Sequence, residues 1–370
     1  MQENKKKIQL IIEKGWNYML IENKRILITG GTGSLGNVLL KRIISGELGW
    51  PQKITIFSRD ETKQHHMKTL FEDLSLHDKV TRKEILDILY FHIGDVRNYQ
   101  SISNSLKDVD IVFNAAAMKQ VPSCEYNPFE AVRTNIMGPE NIVNAIKEND
   151  LPVETVIGIS TDKAVKPVNV MGMTKAIQER IFINANLICP RSRFVCVRYG
   201  NVLASRGSVI PLFHRQIRNG GPVTITTTNM TRFLLSLNQA VDTVFSALRE
   251  AKAGETYIPR VSSAKVFDVA DVLIDGRKIK KVITGIRPGE KIHEILVSEE
   301  EVYRTISRSN YYVIRPTHPE LNKGFKIKPV LKKEYSSKDN LMSKKKILEL
   351  LKKNKLTIEN DIDKKAELLI

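Results

Sequence analysis

Arg25-Ile-Leu-Ile-Thr29, running directly into Gly30-Gly-Thr-Gly-Ser-Leu-Gly36 and then into Asn37-Val-Leu-Leu-Lys-Arg-Ile-Ile44, decides the fold. The first run is apolar and β-branched and reads as a buried strand, and the last has the spacing of a helix. Glycines at 30, 33 and 36 let the backbone turn tightly, approach a pyrophosphate closely and pack helix on strand. The helix N-terminus then faces the anionic phosphates. Glycine spacing alone marks many ordinary turns; the strand before it and the helix after it make this a dinucleotide-binding fingerprint. Gly30, Thr32, Gly33, Ser34, Leu35 and Gly36 are therefore assigned to a cofactor.

The same alternation continues outward. Lys53 to Phe57 reads as a second strand and ends in Ser58-Arg59-Asp60. An arginine beside a hydroxyl suits a ribose 2′-phosphate, which favours NADP. Asp60 keeps NAD open and otherwise serves as a helix N-cap. A third strand, Tyr90 to Val96, carries Asp95 and Val96 at its exit, where they frame an adenine. The fourth, Val109 to Asn114, runs into Ala115, Ala116 and Ala117, small enough for backbone to pass under a flat cofactor, with Lys119 and Gln120 turned towards substrate. Asn135 is expected to brace the sheet through a buried hydrogen bond. With Val153 to Ile159 and Arg193 to Arg198 added, the pattern predicts an α/β fold, a doubly wound parallel Rossmann sheet with helices on both faces.

After Arg198 the periodicity loosens, which predicts a smaller interleaved substrate-binding domain. The expected division is an extension over 1–24, a Rossmann NADP-binding domain over 25–200 with a returning segment near 236–260, a substrate-binding domain over 201–235 and 261–320, and a lysine-rich extension over 321–370. A helical stretch is expected around Ile8 to Met19, and the C-terminal lysines alternate with apolar residues, as in Ile347 to Leu351, in a way that suits a terminal helix. Asn201, Arg206, Arg232, Arg287 and Lys291 fall in loops or helix starts where a diphosphate would collect several of them.

Chemistry concentrates in Ser160-Thr-Asp-Lys-Ala-Val-Lys-Pro-Val-Asn-Val-Met-Gly-Met-Thr-Lys175. Thr161, Asp162 and Lys163 emerge at a strand's carboxyl end, where open α/β sheets place their ligands. Asp162 and Lys163 reach one substrate only if the chain leaves strand geometry there, because adjacent residues of a strand point to opposite faces. Met171 and Lys175 stand four apart at the start of a helix, on one face. Methionine neither donates nor accepts a proton, so either Thr161, Asp162 and Lys163 do the proton work or the protein binds its ligands without reacting them. So dense a set of ionisable groups favours the first.

Fifty-eight basic against 41 acidic residues give a net charge of +17. Much of the excess lies at the two ends, which read as solvated, so no nucleic-acid partner is expected. Cys124, Cys189 and Cys196 are odd in number and lack metal-ligand spacing, so neither a disulfide framework nor a zinc site is expected and a cytoplasmic location is. The seven scattered histidines read as surface or core residues, leaving no metal site. No apolar run approaches the ~20 residues that span a bilayer, and the start has no signal-peptide h-region.

Jointly, Thr29 to Gly36, Phe57-Ser-Arg-Asp-Glu61, Gly94-Asp-Val-Arg97, Lys119-Gln-Val-Pro122, Ser160 to Ala164, Arg198-Tyr-Gly-Asn-Val202, Arg206 to Pro211, Met230-Thr-Arg-Phe233 and Arg287-Pro-Gly-Glu-Lys291 give the chain a family resemblance from about Lys24 to Pro316. It resembles extended short-chain dehydrogenase/reductases, and within them the UDP-N-acetylglucosamine 4,6-dehydratases of bacterial surface-polysaccharide synthesis. Many members carry tyrosine where Met171 stands; one branch, which resembles enzymes that also invert carbon 5, is similar in having methionine. The resemblance implies hydride removal from C4 by NADP, loss of water across C5 and C6, and return of hydride to C6. It further implies Lys163 as C5 base, with a pKa that must fall, and Asp162 as the acid at O6, kept protonated by a nonpolar wall such as Met171. Thr161 is left to take the C4 hydroxyl proton, with Lys175 orienting the nicotinamide ribose. A UDP-sugar is the implied partner, held by Lys119, Asn201, Arg206, Val209, Arg232, Arg287 and Glu290, and a homo-oligomer is the implied assembly. A UDP-sugar 4-epimerase and a non-catalytic binding relative are the alternatives.

Overall fold

The computed structural model describes residues 19–73, 79–203, 208–324 and 327–360. Most of the expected N-terminal helical stretch, and Arg206, therefore lie outside the described residues.

The first half alternates strand and helix: β1 (Arg25–Thr29), α1 (Ser34–Ile43), β2 (Lys53–Ser58), α2 (Glu61–Asp73), β3 (Leu89–Ile93), β4 (Ile111–Asn114), α3 (Gly138–Glu148), β5 (Thr155–Thr161), α4 (Val170–Ile188) and β6 (Arg193–Tyr199). These six strands pair in parallel in the order β3-β2-β1-β4-β5-β6. Their β-branched side chains are buried on both faces, as a sheet covered by helices requires. On one face Leu39, Leu40 and Ile43 of α1 join Ile28 and Ile56; on the other Ile142 of α3 and Phe182 of α4 join Val112 and Phe194. The winding reverses between β1 and β4, and the crevice at their carboxyl ends is where such folds hold ligands.

The second half weaves between two regions. It contributes β7 (Asn201–Val202), α5 (Val209–Arg218), β8 (Val223–Ile225), β9 (Thr231–Leu235), α6 (Leu237–Glu250), β10 (Thr256–Pro259), β11 (Ser263–Lys265), α7 (Val266–Ile274), β12 (Lys281–Ile283), β13 (Ile295–Val297), β14 (Thr305–Arg308), β15 (Tyr311–Ile314), β16 (Tyr335–Ser336) and α8 (Lys344–Lys353). β10 extends the main sheet in parallel beside β6. A separate core of Leu203, Ile210, Phe213, Val223, Val266 and Leu273 forms the smaller lobe.

Two features depart from the sequence reading. The hairpin β14–β15 adds antiparallel to β10, giving the main sheet nine strands among the described residues, so 305–314 builds the central sheet rather than the substrate-binding segment. Val313 and Ile314 are buried there and Tyr311 lies 5.8 Å from Tyr257, ring to ring, which is the packing that draws the hairpin in. The lysine-rich end is not solvated throughout: Ile347 and Leu351, one turn apart on α8, bury in the core of the smaller lobe while the neighbouring lysines face outward.

Candidate active site

The glycine loop is built for close approach. Gly30 has φ +64°, and a Cβ there would lie 2.7 Å from the Ala116 nitrogen; one at Gly36 would lie 2.3 Å from the Gly31 oxygen. The β4 exit thus passes directly beneath the loop, and α1 begins at Ser34 with its N-terminus towards a cleft of ≈ 1130 Å³. The first N–H groups of a helix have no partner within it and attract anions, so the loop fits a dinucleotide pyrophosphate. Every residue assigned to the cofactor from the sequence lines this cleft. Asp60 caps α2, accepting from the Lys63 N–H at 3.0 Å, and its other oxygen pairs with the Lys63 ammonium. Arg59 stays more than half exposed at the rim, 3.8 Å from Asp95.

At the end of β5 the chain does leave strand geometry, folding Asp162–Ala164 into a single 3₁₀ turn with Thr161 as its cap. The turn brings the three polar groups together. Thr161 Oγ1 accepts from the Lys163 N–H at 3.4 Å and donates to Asp162 Oδ1 at 3.0 Å; Lys163 Nζ donates to that same Oδ1 at 3.1 Å. Thr161 and Lys163 line the cleft, whereas Asp162 sits one layer behind them, completely buried. Its Oδ2 has no hydrogen-bond partner among the described residues and packs against Gly200, where a Cβ would approach it to 3.2 Å and Phe233 to 2.5 Å. Gly172 has a similar role: a Cβ there would lie 2.2 Å from the Lys163 carbonyl, so only glycine lets α4 seat against the turn.

Glu294, which no sequence motif singles out, completes the cluster. It is 2% exposed, and its Oε1 lies 3.1 Å from Lys163 Nζ and 3.8 Å from Arg232 Nε, with Lys291 Nζ at 3.9 Å from Oε2. Ser337 fixes it from the C-terminal segment: its Oγ accepts the Glu294 N–H at 2.9 Å and its N–H donates to the Glu294 carbonyl at 2.8 Å. Burial pushes the Asp162 carboxyl above its ordinary range, and the Glu294 charge adds to this against the pull of Lys163. Burial alone would lower Lys163, but Asp162 and Glu294 outweigh it and hold the ammonium charged. The fall in Lys163 pKa expected from the sequence is therefore not found, because two carboxylates flank the amine. Glu294 is held below its usual range: burial opposes this, and Lys163, Arg232 and Lys291 prevail.

Met171 lines the cleft but packs with Cys124 and Ala131. The neighbour at Asp162 Oδ2 is instead Gly200, with Phe233 packed on that glycine, a correction to the role read for Met171. Lys175 is buried, donates to Gln178 Oε1 at 2.6 Å, and is lowered by burial to about 8. Tyr199 borders the cleft, but its ring lies in the core and burial pushes its hydroxyl pKa up, so it does not replace the missing tyrosine. Asn135 braces a loop rather than the sheet: Oδ1 accepts from Met118 N–H at 2.8 Å, and Nδ2 donates to the Met118 carbonyl and to Thr174 of α4, both at 3.0 Å. It does so from a π-turn, Arg133–Met137, a distortion frequent beside functional sites.

Lys119, Asn201, Val209, Arg232, Arg287 and Glu290 also line the cleft. Asn201 Oδ1 and Ser208 Oγ are buried there without a hydrogen-bond partner among the described residues. Asn169, another residue the sequence did not reveal, caps α4 through Gly172 N–H at 2.7 Å and donates to the Gly289 carbonyl at 2.7 Å, tying the Arg287–Glu290 loop to the catalytic segment.

A family described as polysaccharide biosynthesis protein matches residues 26–316. The UDP-N-acetylglucosamine 4,6-dehydratase (inverting) of Campylobacter jejuni (serotype O:2) is 40% identical over 90% of this chain and 98% of its own. A UDP-glucose 4-epimerase of Rickettsia typhi is 42% identical over 89% of this chain and 95% of its own. Among solved structures, Pen from Bacillus thuringiensis superposes with a TM-score of 0.80 at 34% identity, covering 91% of this chain and 99% of that one.

Proposed function

The chain belongs to the polysaccharide biosynthesis protein family, and from that premise we propose that it is a nucleotide-sugar 4,6-dehydratase that converts UDP-N-acetylglucosamine to the 4-keto-6-deoxy sugar with C5 inverted. One observation carries the reading: the turn after β5 sets Lys163 on the cleft wall between two buried carboxylates, Asp162 and Glu294, beside a cradle that suits a dinucleotide. A 4-epimerase needs a proton acceptor at O4 and no more; a dehydratase must also move a proton from C5 and supply one to O6. The second set of acid-base groups is what distinguishes the two readings.

A nicotinamide dinucleotide, when bound, supplies the hydride acceptor for C4 and the hydride for C6. Ser58 and Arg59 favour the 2′-phosphorylated form, and Asp60 beside them already accepts from the Lys63 N–H as the cap of α2. Lys175 holds the nicotinamide ribose. Thr161 receives the C4 hydroxyl proton. Lys163 takes the C5 proton, which the adjacent ketone has made acidic, and Asp162, whose pKa is raised by burial, is the proton source for the departing O6 once it has been loaded. Arg232 and Arg287 meet the diphosphate, with Lys119, Asn201, Val209 and Glu290 around the sugar and base.

The test is incubation of the protein with UDP-N-acetylglucosamine and NADP⁺ in deuterated water, read by mass spectrometry and proton NMR. Loss of one water with deuterium at C5 supports the proposal, and the ring couplings read the inversion. An isobaric product would establish the epimerase instead, the reading favoured by the Rickettsia typhi relative's name. Lys163→Ala should keep cofactor binding and lose dehydration.

A further inference from the structure

Asp162 is the member of the catalytic turn that does not touch the cleft, and its contact with the cleft runs through its two neighbours. Both hold the same atom: Thr161 Oγ1 donates to Oδ1 at 3.0 Å and Lys163 Nζ donates to it at 3.1 Å. A proton delivered to the Thr161 hydroxyl from the cleft therefore finds an acceptor already aligned behind it. Thr134 and Ser160, also on the lining, lack this arrangement. Thr134 Oγ1 has no hydrogen-bond partner among the described residues. Ser160 donates to Glu179 Oε1 at 2.5 Å, but both oxygens of that carboxylate are already taken by Arg198, at 3.0 and 2.6 Å.

We propose that Thr161 and Asp162 form a two-step relay that carries the C4 hydroxyl proton out of the cleft and stores it on Asp162. This deepens the function proposed above and rests on its C4 oxidation. The O4–H bond breaks as a Thr161 Oγ1–H bond forms; the original Thr161 hydrogen passes to Asp162 Oδ1; the C4 hydrogen leaves with its electron pair to the nicotinamide. The alcohol is oxidised, the nicotinamide is reduced, and the carboxylate becomes a carboxylic acid. Two things follow at once. Asp162 is now loaded with the proton that elimination requires, and Lys163 has lost one of the two negative charges that kept its amine protonated, just when the new ketone has acidified C5–H. The relay orders the two halves of the reaction and explains how a site with Met171 dispenses with a tyrosine.

A substrate without a C6 hydroxyl, UDP-N-acetyl-6-deoxyglucosamine, isolates the first half. Mixed rapidly with the protein and NADP⁺, it should give reduced nicotinamide absorbance in the wild type. Thr161→Val and Asp162→Asn should slow that rise by about a hundredfold or more, and Thr161→Ser should recover it. A second readout needs no cofactor: in protein labelled with ¹³C at aspartate carboxyls, Thr161→Val removes a donor to the carboxylate, so the Asp162 resonance should titrate at higher pH than in the wild type. Normal reduction by Asp162→Asn without dehydrated product from UDP-N-acetylglucosamine would overturn the relay and leave the dehydratase standing. Should Asp162→Asn not fold, normal reduction by Thr161→Val, or an unmoved Asp162 titration, overturns the relay equally. An isobaric product from the wild type removes the dehydratase reading while leaving the relay to the reduction assay. A wild type that reduces no cofactor with either sugar removes both.

Discussion

Lys163 Nζ and Glu294 Oε1 lie 3.1 Å apart, joining a residue at the end of β5 to one 131 positions later in the chain. The pair forms part of a buried cluster with Asp162, Arg232 and Lys291, so the charge on Glu294 bears directly on when Lys163 gives up its proton. Lys163 is a base only when neutral, and turnover should rise with pH through its pKa. Glu294→Gln keeps the shape and removes an anion that raises that pKa. The rising limb of kcat against pH should therefore move to lower pH in Glu294→Gln, measured from paired profiles; an unmoved limb would show that Glu294 does not govern the base.

Lys175 carries a different pH signature. Burial lowers its pKa to about 8 from an ordinary 10.5. Below 8 it is charged in both folded and unfolded chains; between 8 and 10.5 the unfolded chain binds more protons, so its contribution to stability rises with pH across that window. The full swing is about 3 kcal/mol. Thermal or urea unfolding of Lys175→Met at several pH values should lack this rise.

Arg59 and its neighbour Ser58 border the cleft where a ribose 2′-phosphate would sit. Arg59→Ala should lower affinity for NADP⁺ about tenfold, the loss of one charge-assisted hydrogen bond, and leave NAD⁺ affinity nearly unchanged. Titration calorimetry with both dinucleotides reads the ratio.

Gly200 holds the space beside Asp162. A methyl group there would meet Phe233 Cβ at 2.5 Å and Asp162 Oδ2 at 3.2 Å. Gly200→Ala should cost about 1–3 kcal/mol of stability through overpacking and slow turnover by displacing the carboxyl; a melting curve and a kcat measurement check both.

The sheet was readable because its signals are local: β1, the glycine loop and α1 lie within 19 consecutive residues, and each strand is a short β-branched run. The convergence of Asp162 and Lys163 was readable as a condition, that the chain bend after β5, and the 3₁₀ turn supplies the bend. Glu294 was not readable, because its partners come from segments far apart in sequence. Its one local signal was an acid opening the apolar run Ile295-Leu-Val297, where a charge needs a buried partner. The hairpin β14–β15 was legible as alternating aromatic and β-branched residues, but nothing local says which sheet receives it.

Ser337 lies outside the family match, which ends at residue 316, yet it fixes the backbone of Glu294 on both sides and its hydroxyl lies 2.6 Å from that of Thr231, next to Arg232. β16 pairs with β13 beside it, and α8 closes the apolar core of the smaller lobe. The stretch that encodes the recognisable chemistry and the stretch that buttresses it are thus separate. A shortened version ending at Pro316 would retain nearly every diagnostic motif while surrendering the support behind its charged cluster, so trimming by sequence likeness would preserve the family's signature and dismantle the workplace.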